Sequence, residues 1–101
     1  MDRTNLRTRT ELDKVLSRLF ESAQSKPKSV VKTKLKGGLI ITMTVVNDCV
    51  LDLSIRRESV YPSAREWVTV LDHMPWPCQA RPTMTSDNKM TASLAIHPKL
   101  L

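Results

Sequence analysis

The feature that most constrains this chain is a stretch of period-two hydrophobicity between residues 31 and 56, broken twice by turn residues. Val31, Thr33 and Leu35 alternate with Lys32, Lys34 and Lys36. Leu39, Ile41, Met43 and Val45 alternate with Ile40, Thr42, Thr44 and Val46. Cys49, Leu51, Leu53 and Ile55 alternate with Val50, Asp52, Ser54 and Arg56. Successive side chains of a strand point to opposite faces, so each run predicts a strand with one buried face. Gly37-Gly38 predicts a two-residue hairpin turn, since glycine tolerates positive φ at both places. Asn47-Asp48 marks a second tight turn. The expected product is an antiparallel meander with a greasy inner side.

Such a sheet needs a cover on that side. Residues 10–23 supply one: Leu12, Val15, Leu16, Leu19, Phe20 and Ala23 fall on one helical stripe. Thr8 with Glu11, or Thr10 with Asp13, gives its N-terminal capping pattern, and Pro27 ends the linker behind it. Ser63-Ala64-Arg65-Glu66 is a capping box that opens a second helix to about Met74, with Ala64, Trp67, Val68, Leu71 and Met74 on one side. The segment Pro75-Trp76-Pro77 stops it. Two further strands are expected near 79–85 and 90–97, joined by Ser86-Asp87-Asn88. The fold class is therefore α+β, an antiparallel sheet with helices in the order α-β-β-β-α-β-β. Strand neighbours after the second helix are left open by this reasoning.

With 101 residues the chain is expected to be a single domain over 1–101, its residues 1–9 a flexible basic N-terminus. No segment approaches the roughly 20 apolar residues of a membrane span. No signal peptide is evident and only two cysteines are present, so a cytoplasmic setting with Cys49 and Cys78 as small buried thiols is expected.

The net charge is +6, and it is unevenly placed. Residues 1–36 hold ten Lys/Arg and four acids, whereas residues 37–101 hold six of each sign. No acid lies between Glu21 and Asp48, a stretch that holds Lys26, Lys28, Lys32, Lys34 and Lys36. Lysines two apart on a strand project together, roughly 6.6 Å from one to the next. The expected binding surface is thus a row of Lys28, Lys32, Lys34 and Lys36 with Arg56, helped by Arg3, Arg7 and Arg9. Thr42, Thr44 and Ser54 would lie between as donors to phosphate oxygens. This predicts a non-enzymatic nucleic-acid-associated protein that holds the phosphate backbone; about five contacts to duplex give a log–log salt slope near −4.5. No aromatic falls on the outer strand positions, so base stacking is not expected. A solvated face that merely guards an edge strand accounts for the same lysines about equally well.

The alternative is a protein-interaction module or homodimer. Ile40, Val46 and Val50 stand on the polar side of their strands, and Trp76 sits between two prolines; together they are candidate interface residues. They suggest that part of the outer face is covered, by the second helix, the C-terminal hairpin or another subunit. Cys49, His73, Cys78 and His97 lack the paired spacing of a metal site, and neither cysteine sits in a catalytic motif, so no metal, cofactor or catalytic residue is assigned. Arg56-Arg57-Glu58 and Arg65-Glu66 read as surface charges of small weight.

The order of the first five elements resembles that of double-stranded RNA-binding domains. The second helix, though, opens Ser63-Ala64-Arg65-Glu66 without that family's lysines, and the first loop is only Lys36-Gly37-Gly38-Leu39. The full order is similar to that of the small dimeric chaperones of type III secretion, which are typically acidic where this chain is basic. Each resemblance implies a layout and carries over no functional residue.

Overall fold

A computed structural model describes the backbone of residues 3–85 and 87–97, with side chains from residue 11 onward. The elements are α1 (Arg3–Ser25), β1 (Val31–Lys34), β2 (Ile40–Asn47), β3 (Val50–Arg56), α2 (Ala64–Asp72), β4 (Thr83–Thr85) and β5 (Lys89–Ala95). This is the expected α+β order. The five strands form one antiparallel sheet in the order β1-β2-β3-β5-β4.

The alternation read from the sequence sets the inner face. Ile41, Met43, Leu51, Leu53 and Ile55 are fully buried, and Met90 and Leu94 of β5 continue that layer. Leu16, Leu19, Phe20 and Ala23 of α1 share one core with them, as do Trp67, Val70 and Leu71 of α2. Both helices therefore lie on the same side of the sheet.

α1 begins at Arg3, ahead of the expected residue 10, so Thr8 and Thr10 are interior helix positions rather than caps. The sequence has no Gly or Pro before Pro27. Once packing fixes residues 12–23, adding further turns costs little because nucleation is already done. The Ser63–Glu66 capping box of α2 is present, with both reciprocal bonds at 3.1 Å. Its buried stripe, however, is Trp67, Val70, Leu71 and Met74, while Ala64 and Val68 face outward. Trp67 anchors that stripe: its indole N–H donates to the Ala80 carbonyl at 2.8 Å, which aims the ring under the chain leading to β4.

The turns also differ from expectation. The first hairpin closes over three residues, Lys36, Gly37 and Gly38. Gly38 N–H donates to Leu35 O at 2.9 Å, and Leu35 N–H donates to Leu39 O at 2.8 Å. Only Gly38 takes positive φ, at 92°. This is a type I turn followed by a left-handed residue, the usual alternative to a two-residue loop. The second hairpin turns on Asp48-Cys49, one residue later than expected, because Asn47 pairs with Val50 through a register shift after Val45. The Asn47 side chain accepts from Cys49 N–H at 2.8 Å, an Asx turn that holds Cys49 in the exposed loop instead of the core. Cys78 is half-buried, and both thiols are free. Asp87 and Asn88 form the described part of the last turn; Ser86 lies outside the described residues.

Candidate nucleic-acid interface

The register decides which side chains share the outer face. Across the sheet, Lys34 aligns with Ile40, Arg56, Lys89 and Thr85. The next row is Lys32, Thr42, Ser54, Thr91 and Thr83. Thr44, Asp52 and Ser93 form a third. No element among the described residues packs over these rows. The expectation that α2 or the C-terminal hairpin covers them is not met: α2 lies on the opposite face and the hairpin extends the sheet sideways.

Of the predicted cations, Lys32, Lys34 and Arg56 do share this face. Lys36 does not, because the longer hairpin loop lifts it off β1 into the turn. Lys28 does not either. It sits in the turn after α1 at φ 70°, its N–H donating to Val45 O at 2.8 Å beyond the start of β1. The side chains of Arg3, Arg7 and Arg9 lie outside the described residues. The structure adds one cation that local patterning could not supply. Lys89 stands directly opposite Arg56 because β5 pairs with β3. Neighbouring strands lie roughly 4.8 Å apart, so Arg56 and Lys89 are adjacent and Lys34 is about 10 Å from Arg56.

Carboxylates border the row. Lys34 Nζ lies 3.3 Å from Glu58 Oε1, in a pair exposed on both sides. Such pairs are weak and open readily. Asp52 accepts from Ser93 Oγ at 2.7 Å. The Asp87 carboxyl is held below its ordinary value chiefly by the Thr85 hydroxyl, then by its own backbone N–H, with Lys89 and Arg56 adding their fields. The hydroxyls are partly engaged as well. Ser54 Oγ donates to Thr91 Oγ1 at 2.9 Å, and Thr91 Oγ1 donates to Leu53 O at 3.2 Å. Ser54 thus spends its proton within the sheet; of the other predicted hydroxyls Thr42 stands beside Lys32, whereas Thr44 lies a row beyond the cations, beside Asp52.

The candidate interface residues separate. Trp76 is buried, its ring 4.8 Å from that of Phe20 and its indole N–H donating to Ala95 O at 2.9 Å. It plugs the core and offers no anchor to a partner. Val46 and Val50 flank the second hairpin, whereas Ile40 lies at the far end of β2, six residues from Val46 and roughly 20 Å away. Thr42, Thr44, Asp52 and Ser54 intervene.

Two further features were not weighted in the sequence. The Arg57 side chain is 27% exposed and joins three elements. Its Nη2 and Nε meet Glu66 Oε2 at 2.6 and 3.0 Å, and its Nη1 donates to Gly37 O at 2.7 Å. Arg57 and Glu66, read separately as surface charges of small weight, together form a clamp between the first hairpin and the N-terminus of α2. His73, at the C-terminal end of α2, has its Nδ1 2.7 Å from Asp13 Oδ1 and so ties the two helices together. As for the other chemistry-bearing residues, burial pushes the Cys78 thiol up to about 11, and its Sγ–H donates to Trp76 O at 3.2 Å. Among the described residues no three His, Cys, Asp or Glu side chains gather as a metal site, and no helix is long and apolar enough to cross a membrane.

No protein-family model, curated protein or solved structure matches this chain.

Proposed function

We propose that this protein is a non-enzymatic nucleic-acid-associated protein that contacts the phosphate backbone through the bare face of its sheet. The observation that carries the reading is the row Lys34–Ile40–Arg56–Lys89, with Lys32 in the next row, on a face with no covering element among the described residues. Like charges directly opposite on neighbouring strands destabilise a sheet. Arg56 opposite Lys89 is such a pair, and a polyanion laid across it would relieve the repulsion. Glu58 and Asp87 reduce the local field, but both are exposed and can swing aside at small cost. The outward strand positions carry no aromatic side chain among the described residues, so the contact is to backbone rather than to bases.

The test is a salt titration of binding to duplex DNA, single-stranded DNA and RNA. Four phosphate contacts to duplex predict a log–log slope of about −3.6. Reversing Arg56 and Lys89 together to Glu is expected to weaken binding at least about tenfold at moderate salt without lowering the melting temperature. Binding that ignores salt, or that is untouched by this double reversal, defeats the proposal. The homodimer reading loses its footing on this face, since Trp76 is internal and the three aliphatic residues form no continuous patch.

A further inference from the structure

β1 is an edge strand, bonded on one side only. In an antiparallel ladder, residues whose backbone groups face the partner alternate with residues whose groups face away. Leu35 bonds to Leu39, so Thr33 and Val31 also bond inward to β2. The N–H and C=O groups of Lys32 and Lys34 therefore point out of the sheet. Beside that edge, between β1 and α1, runs a groove of about 580 Å³. Leu12 and Val15 of α1 and Leu35 form its apolar floor, and Lys14, Arg18 and Lys36 its rim, against the single carboxylate of Glu11.

We propose that this edge and groove accept an extended acidic segment of a partner protein as a sixth strand, its alternate side chains acidic and apolar. The pleat sets that pattern. On an added strand, side chains on the outer side stand across from Lys32 and Lys34, and those on the inner side enter the groove over Leu12, Val15 and Leu35. The inner side chains are met by an apolar floor and the outer ones by ammonium groups.

The lysines also decide against the simplest competitor. A second copy pairing edge to edge would set Lys32 and Lys34 against their own equivalents, and like charges opposite each other repel. An acidic strand turns the same feature into attraction. A nucleic-acid strand would satisfy the rim, but it has neither amides for the open ladder nor aliphatic groups for the floor.

The probe is a short capped peptide alternating Glu with Val, compared with its Lys-for-Glu counterpart and with a single-stranded oligonucleotide. Binding to the full chain is followed by amide shifts and hydrogen exchange. The Glu peptide is expected to bind, to shift residues 11–18 and 31–37, and to slow exchange of the Lys32 and Lys34 amides; the Lys peptide is expected not to bind. Lys14→Glu with Arg18→Glu is expected to weaken the Glu peptide about tenfold, each rim charge being worth up to roughly fivefold. Equal binding of both peptides, or shifts with no slowing at Lys32 and Lys34, overturns the proposal. So does an oligonucleotide that shifts residues 11–18 and slows the Lys32 and Lys34 amides as the Glu peptide does, or self-association through β1 without any peptide. Lys32 and Lys34 belong to both surfaces, but Arg56 and Lys89 lie strands away from this edge, so reversing those two is expected to weaken the oligonucleotide and leave the Glu peptide unchanged, which separates this outcome from that of the proposed phosphate contact.

Discussion

The two faces of the sheet are made from the same strands and do opposite work. Leu53 and Ser54 are neighbours in β3; one is fully buried and the other lies open beside Thr42 and Thr91. The inner face holds the helices through apolar burial, worth roughly 1.5–3 kcal/mol per large aliphatic side chain. Among the described residues, the hydrogen bonds and ion pairs of the outer face join hydroxyl, carboxylate and cationic groups, each worth about 1 kcal/mol or less in solvent. Stability is thus concentrated on one side, which leaves the other free to vary in charge without unfolding the chain.

Leu53→Ala is the sharpest test of that division. Leu53 sits between Met43 and Ala92 in the central strand. Loss of its side chain leaves a cavity that flanking strands cannot collapse into, and is expected to cost about 2–5 kcal/mol by urea unfolding. A cost below about 1 kcal/mol would mean that the inner face is not what holds the fold.

That inner face was legible because period-two alternation is a local property of the chain. The positions it marked in β2 and the Leu51, Leu53 and Ile55 of β3 are all buried. The α2 capping box was legible for the same reason. The outer face was only half legible. Lys32 and Lys34 follow from alternation, but Lys89 joins Arg56 only through β3–β5 pairing, and nothing local in residues 50–95 announces which strands meet. Lys36 was misplaced because two adjacent glycines fit both a two-residue and a three-residue loop, and backbone geometry chose the latter. Arg57 was undervalued since its burial depends on Gly37 and Glu66, which are distant in sequence.

The Arg57–Glu66 clamp lies where the chain leaves β3, between the two regimes. Hydrogen bonds from Arg57 lead in holding the Glu66 carboxyl below its ordinary 4.5, partial burial opposes this, and the Ser63 backbone lowers it further. A carboxyl with a depressed folded value stabilises above its unfolded value, and that contribution is lost as pH falls through the folded value. Glu66→Gln preserves the cap on Ser63 and removes the charge facing Arg57. At pH 7 it is expected to cost about 1–2 kcal/mol, the lower range for a charged hydrogen bond that is partly solvated. The gap between variant and parent should shrink once pH drops below 4.5. A gap that stays constant with pH would assign the cost to packing and place the clamp with the inner face.

Ser54→Ala tests the other side of the comparison and should have the smallest effect. The Ser54 hydroxyl donates to Thr91, but Thr91 keeps its own bond to Leu53 O and stands at a half-exposed position where water can replace the lost donor. The cost is expected near 0.5 kcal/mol, against several for the adjacent Leu53. Urea midpoints of the two single variants, measured side by side, give the ratio directly. If Ser54→Ala were to cost as much as about 2 kcal/mol, an unpaired polar group would have to be shielded from solvent there. The outer face would then be covered in solution, and the phosphate contact proposed for it would lose its surface.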